Sequence, residues 1–189
     1  MLRSNERSSE RGRGNAGLFW PVLCLIAAVD FGTKLLAANR LLPQGLPHEV
    51  FGDWVRFTLV RNPGAAFGLH LGSQSRWIFM ALTIVALVIL GFLYTSTRRG
   101  DAVRSMALAM VCGGAVGNLI DRITSRLGVV DFIDIGFGDS RWPTFNVADM
   151  AVSMGAFLLA WVLWGEDAET QAAGVRAPVA VSADTRELS

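Results

Sequence analysis

Four long stretches of almost unbroken apolar sequence divide the chain. Leu18 to Ala38 is the first, with Asp30 and Lys34 in its second half. Trp77 to Thr97 carries no charge over 21 residues and is the clearest. Ser105 to Ile120 is uncharged and ends at Asp121-Arg122, and Phe145 to Trp164 is charged only at Asp149. An apolar run of this length is what a helix needs to cross the hydrocarbon layer, so the pattern predicts four transmembrane spans. Between the first two spans, Val55, Phe57 and Leu59 alternate with Arg56, Thr58 and Val60, the period of a strand. Arg61-Asn62-Pro63-Gly64 follows with turn chemistry. The 39–76 loop is thus expected to hold a small β element at the membrane surface.

Composition agrees with this pattern. Of 189 residues, 52% are hydrophobic, and the mean hydropathy is +0.41, which suits a polytopic membrane protein. Residues 1–15 carry Arg3, Arg7, Arg11 and Arg13 and read as a basic, disordered tail; 166–189 reads as a second one. A basic segment before an apolar one can be a secretory signal. Here the apolar character continues past Asp30, and three further spans follow, so the first run is read as a span. Net charge is +1, so charge implies no nucleic-acid partner. Cys24 and Cys112 each sit inside an apolar run and read as small buried hydrophobes. His48 and His70 are too scattered for a metal cluster, and no cofactor is implied.

Four spans place both termini on one side. Arginine counts do not decide which side: seven flank the termini and the 98–104 loop, and seven lie in the opposite loops. The density of the Arg98-Arg99 loop favours cytoplasmic termini. Asp30, Lys34, Asp121, Arg122, Asp131 and Asp149 then all fall near one depth, on the extracytoplasmic side. A relay across the bilayer would spread its groups through both leaflets, whereas one site at the interface gathers them. Gly113 and Gly117 on span three, with Ser153 and Gly155 on span four, predict close helix packing there. Asn118 and Asp121 are three apart, as are Asn146 and Asp149, so each amide can orient a carboxylate.

Two carboxylates in one poorly hydrated site cannot both ionise comfortably, so one holds a proton. Such a pair can activate water against an amide without a metal or a serine nucleophile. Asp149 is one member. Asp131, with no adjacent cation, is the better partner, and Asp121, next to Arg122 and within reach of Lys34, reads as structural. Asp134 is open as to which face it takes, and Asp139 reads as a solvated turn residue. A small proton- or ion-coupled transporter is the second reading, but the chain shows no repeat and its carboxylates lie on one side. Trp142, Trp161 and Trp164 read as interfacial anchors.

Five motifs in order carry a family resemblance: Asp30-x-x-x-Lys34, Arg61-Asn62-Pro63-Gly64-Ala65-Ala66-Phe67-Gly68, Gly113 to Arg122, Val130 to Asp134, and Phe145-Asn146-Val147-Ala148-Asp149. Together they resemble lipoprotein signal peptidase (signal peptidase II), the membrane aspartyl peptidase of bacteria. The resemblance implies an all-α membrane protein: a four-helix transmembrane bundle over 16–165, with an extracytoplasmic β-cradle over 39–76 and both termini cytoplasmic. It implies a multi-pass protein of the bacterial inner membrane that cleaves diacylglyceryl-modified prolipoproteins just before the lipidated cysteine. It implies Asp131 and Asp149 as the catalytic dyad. Asn62, Asn118, Arg122 and Asn146 match substrate-site positions, and Asp30, Lys34, Gly64 and Asp121 match supporting ones. Its partners are those substrates and membrane lipid.

Overall fold

The computed structural model describes residues 15–64 and 72–175, with side chains in the last helix as far as residue 166. Residues 1–14 and 176–189, from the expected tails, and Ala65 to Gly68 of the turn motif lie outside the described residues. The helices are α1 (Ala16–Arg40), α2 (Ser75–Ser96), α3 (Ala102–Thr124) and α4 (Val147–Val175). The strands are β1 (Pro47–Phe51), β2 (Val55–Asn62), β3 (Val129–Phe137) and β4 (Ser140–Arg141). Among the described residues these four helices are each long and apolar enough to cross a membrane.

Helix α3 is central and packs on α1, α2 and α4. Small residues let it: Ala107, Ala109, Cys112, Gly113, Gly114 and Gly117 are all buried. A side chain at Gly114 would run into the backbone oxygen of Ala148 on α4, and one at Gly155 would sit 2.8 Å from the Ala107 oxygen on α3. With no apolar driving force between helices in lipid, such close approach supplies the packing. The α2 helix is peripheral, burying only Ser75 and Tyr94. Phe19, Tyr94, Leu108, Ala109 and Cys112 form the buried cluster nearer the termini.

The expected β element is present but larger than the 39–76 loop. A four-stranded sheet runs β1-β2-β3-β4, and neighbouring strands are antiparallel. Its second half is the 129–141 segment, so the cradle is built from two loops. The reason is pairing: β2 alone would leave a row of unpaired backbone groups, and β3 satisfies them. Register sets Val60 opposite Asp131 and Asn62 opposite Val129.

Other boundaries move as well. Span three does not stop at Ile120; α3 continues through Thr124, so Asp121 and Arg122 are helical. Span four begins at Val147 instead of Phe145, because Phe145 pairs with Ile133 of the sheet. Beyond residue 165, where a disordered tail is expected, helix continues to Val175; Glu166, Ala168, Glu169 and Gln171 are good helix formers. Cys112 is buried as expected, but Cys24 faces outward from α1.

Candidate active site

The sheet end of the bundle gathers the polar groups. Asn146 directly precedes α4 and caps it. Its Oδ1 accepts the Asp149 N–H at 2.9 Å, and its own N–H donates to Asp149 Oδ2 at 3.2 Å. This is a capping box with aspartate in the third helical position. Asp149 is therefore not past the cap, as its place in the apolar run suggests; it is part of the cap. A second cap comes from α1, where Asp30 Oδ1 accepts the Ala148 N–H at 2.8 Å. Gly117 leaves room for that carboxylate, since a Cβ there would lie 2.5 Å from Asp30 Oδ2.

Lys34 sits beneath this cap, almost wholly buried. Its Nζ lies 2.7 Å from Asp30 and 3.1 Å from Asp121, and donates to Asn118 Oδ1 at 2.8 Å. The i, i+4 pair with Asp30 is present, and it belongs to a larger cluster. Asp121 is held by Lys34 and by the Val130 N–H at 3.1 Å, which ties α3 to the start of β3. Among the described residues no carboxylate forms an ion pair with Arg122; its Nη1 donates to the Asn118 backbone oxygen at 3.1 Å.

From this base an amide lattice reaches both candidate carboxylates. Asn118 Nδ2 donates to Asp149 Oδ1 at 2.8 Å. Asn146 Nδ2 donates to Asp131 Oδ1 at 2.7 Å and to Asn118 Oδ1 at 3.1 Å. Asn62, across the β2–β3 pair, donates through Nδ2 to Asp131 Oδ2 at 3.0 Å. Its Oδ1 accepts the Gly64 N–H at 3.0 Å, which fixes the amide the right way round. Gly128 sits at φ +96, beside the Asn62 backbone, where a side chain would both strain and collide. It makes the turn that brings β3 against β2.

Asp131 and Asp149 line one cavity of about 570 Å³, together with Asn62, Gly64, Asn118, Arg122 and Trp142. Each of their four carboxylate oxygens accepts one protein hydrogen bond, leaving a lone pair on each for a further donor. Asp131 is 2% exposed. Burial, and next the Asp149 carboxylate, push it up from 3.8 to about 6. The Asn62 and Asn146 donors and the Lys34 cation pull in the other direction.

The ten residues singled out in the sequence thus fall into one connected region. All ten are joined by hydrogen bonds or ion pairs, Gly64 through Asn62 and Arg122 through the Asn118 backbone oxygen. Sequence reasoning missed Trp142, which lines the cavity where it was read only as an anchor, and Ser153, which lines the same wall one turn after Asp149. The i, i+4 spacing from Asp149 was the available signal for Ser153. Asp134 faces away from the pair: Thr58 Oγ1 donates to it at 3.1 Å and Arg141 Nε at 2.7 Å. Asp139 lies in the exposed β3–β4 turn, as expected.

Comparisons with known proteins agree on one family. The family model described as signal peptidase (SPase) II matches residues 22–165. A lipoprotein signal peptidase of Mycobacterium avium is 40% identical over 160 residues, covering 81% of this chain and 82% of its own. One from Mycobacterium tuberculosis H37Rv is 37% identical over 183 residues, covering 89% of this chain and 86% of its own. A solved bacterial membrane enzyme superposes with a TM-score of 0.74 at 26% identity, over 95% of this chain and 99% of that one.

Proposed function

Because the chain belongs to the signal peptidase II family, a multi-pass membrane peptidase that removes signal peptides from prolipoproteins, we propose that Asp131 and Asp149 are its catalytic dyad. The observation that carries the assignment is the shared cavity: two carboxylates on different elements, oriented by three asparagines, with Asp131 raised to about 6.

A single proton shared by the pair divides the work. The proton resides on Asp131, and Asp149 acts as the base. A water between them loses a proton to Asp149 as its oxygen attacks the scissile carbonyl. Asp131 donates its proton to the carbonyl oxygen, giving a tetrahedral diol. Collapse breaks the C–N bond, the leaving amine takes the proton from Asp149, and a diol hydroxyl returns one to Asp131. Atoms and charges balance, and no further reactant is required.

The lipid-modified substrate class is what the family implies, and the cavity walls support it. Met150, Ser153 and Met154 extend it down α4, toward the apolar part of the bundle. That is the surface a diacylglyceryl-modified cysteine needs, with its chains in lipid and the peptide bond at the interface. Arg122 offers a guanidinium to substrate backbone or lipid phosphate. The dense Arg98-Arg99 loop supports cytoplasmic termini and, with them, a sheet and dyad on the extracytoplasmic face of the bacterial inner membrane. Detergent-solubilised protein is given matched precursors with and without the diacylglyceryl group. Cleavage of the modified form alone, before its cysteine, is the expected result; equal cleavage of both removes the lipid requirement. Labelling of an Asp139→Cys variant from outside the inner membrane tests the orientation, and protection there would reverse it.

A further inference from the structure

Arg76 belongs neither to the carboxylate pair nor to its amide lattice. It is the second residue of α2, just after the short 3-10 turn Gly72–Gln74. Its Nε donates to the Arg122 backbone oxygen at 2.6 Å, and its Nη2 donates to the Ile123 oxygen at 3.1 Å. The guanidinium also lies over the Trp77 ring, 5.1 Å from its centre. The two carbonyls belong to the last turn of α3, which ends at Thr124, where carbonyls run out of helical donors. A planar guanidinium forks onto both from a fixed plane while stacking on the Trp77 ring; a lysine ammonium has donors enough but neither that rigid fork nor the stacking plane.

The carbonyl held at 2.6 Å is that of Arg122, whose side chain lines the cavity. Its guanidinium is anchored within α3 itself, on the Asn118 backbone oxygen at 3.1 Å, so its direction follows the last turn of that helix. The next turn of chain carries Val130, whose N–H holds Asp121. A loosened α3 terminus therefore moves Arg122 first.

We propose that Arg76 is a positioning residue for substrate binding: it clamps the last turn of α3 and so holds Arg122 against the cavity. The inference rests on the reading of Arg122 as a substrate contact.

The test measures kcat, KM and Tm in detergent on a lipid-modified precursor for R76A, R76K, R122A and the R76A/R122A double variant. R122A is expected to raise KM. R76A is expected to raise it by about ten-fold with kcat nearly unchanged, as loss of charged hydrogen bonds allows. R76K should recover little of that loss. The double variant should be no worse than R122A, because Arg76 acts through Arg122. Effects that multiply overturn the proposal, as does an R76A protein with lower Tm but normal KM. Should R76A not fold, R76K and its double with R122A carry the same comparison. A normal KM in R122A removes the premise itself, whereas a raised KM in R122A beside a normal one in R76A refutes only the positioning role.

Discussion

Lys34 donates to the side-chain oxygen of Asn118 at 2.8 Å, and this contact decides which way the Asn118 amide faces. An ammonium only donates, so the atom it meets must be oxygen. The amide nitrogen is then turned to Asp149, 2.8 Å away. One buried cation thus sets the hydrogen bonding of a carboxylate it does not touch.

Lys34→Met tests that arrangement. It leaves Asp30 and Asp121 without their shared cation in a poorly solvated place. Breaking a buried ion pair from one side costs about 3–5 kcal/mol. Thermal unfolding in detergent should show a large drop in Tm, with loss of cleavage. A Tm within a degree or two of wild type would mean that the cluster is not holding the helix ends.

The pH profile tests the shared proton. Asp131 is raised to about 6, chiefly by burial and then by Asp149, so the free enzyme should lose kcat/KM as pH rises through that value. Asn62 donates to the ionised form and lowers the value. Asn62→Ala should therefore move the alkaline limb to higher pH. The same shift has a stability consequence. A carboxyl raised in the folded state contributes stability that is complete below 3.8 and is lost as pH rises through about 6. Asp131→Asn should flatten stability across that window, measured as Tm against pH. A limb that moves down in Asn62→Ala would contradict the assignment.

Packing gives a paired comparison. Gly117→Ala puts a methyl 2.5 Å from Asp30 Oδ2, so the carboxylate must leave the Ala148 N–H or the helices must part. Overpacking of this kind costs about 1–3 kcal/mol. Gly91→Ala on the peripheral α2 meets nothing within 4 Å. Tm should fall for the first variant and hold or rise for the second; equal effects would point to helix propensity in place of the Asp30 contact.

These residues also show what the sequence carries. The spans are legible because a helix in lipid must be apolar over its whole length, a demand that 21 consecutive residues of 77–97 meet without tertiary help. The carboxylates are legible because charge at that depth is costly and so stands out. The Asp30 cap on Ala148 bridges 118 positions, and the Asn62 bond to Asp131 bridges 69. Neither separation leaves a local pattern. The sheet is half legible for the same reason. Alternation marks β2, whereas β3 is buried along most of its length and reads as a plain apolar run broken by aspartates. Trp142 looks like any interfacial tryptophan until the 129–141 segment folds over the end of α3.

The most direct measurement is cleavage of a diacylglyceryl-modified precursor by wild type, Asp131→Asn and Asp149→Asn proteins of matched Tm. Each asparagine keeps the shape but cannot take or give the shared proton, so each should lower turnover by roughly 10³-fold, within the range general acid–base groups supply. Wild-type rates in either folded variant would contradict the dyad.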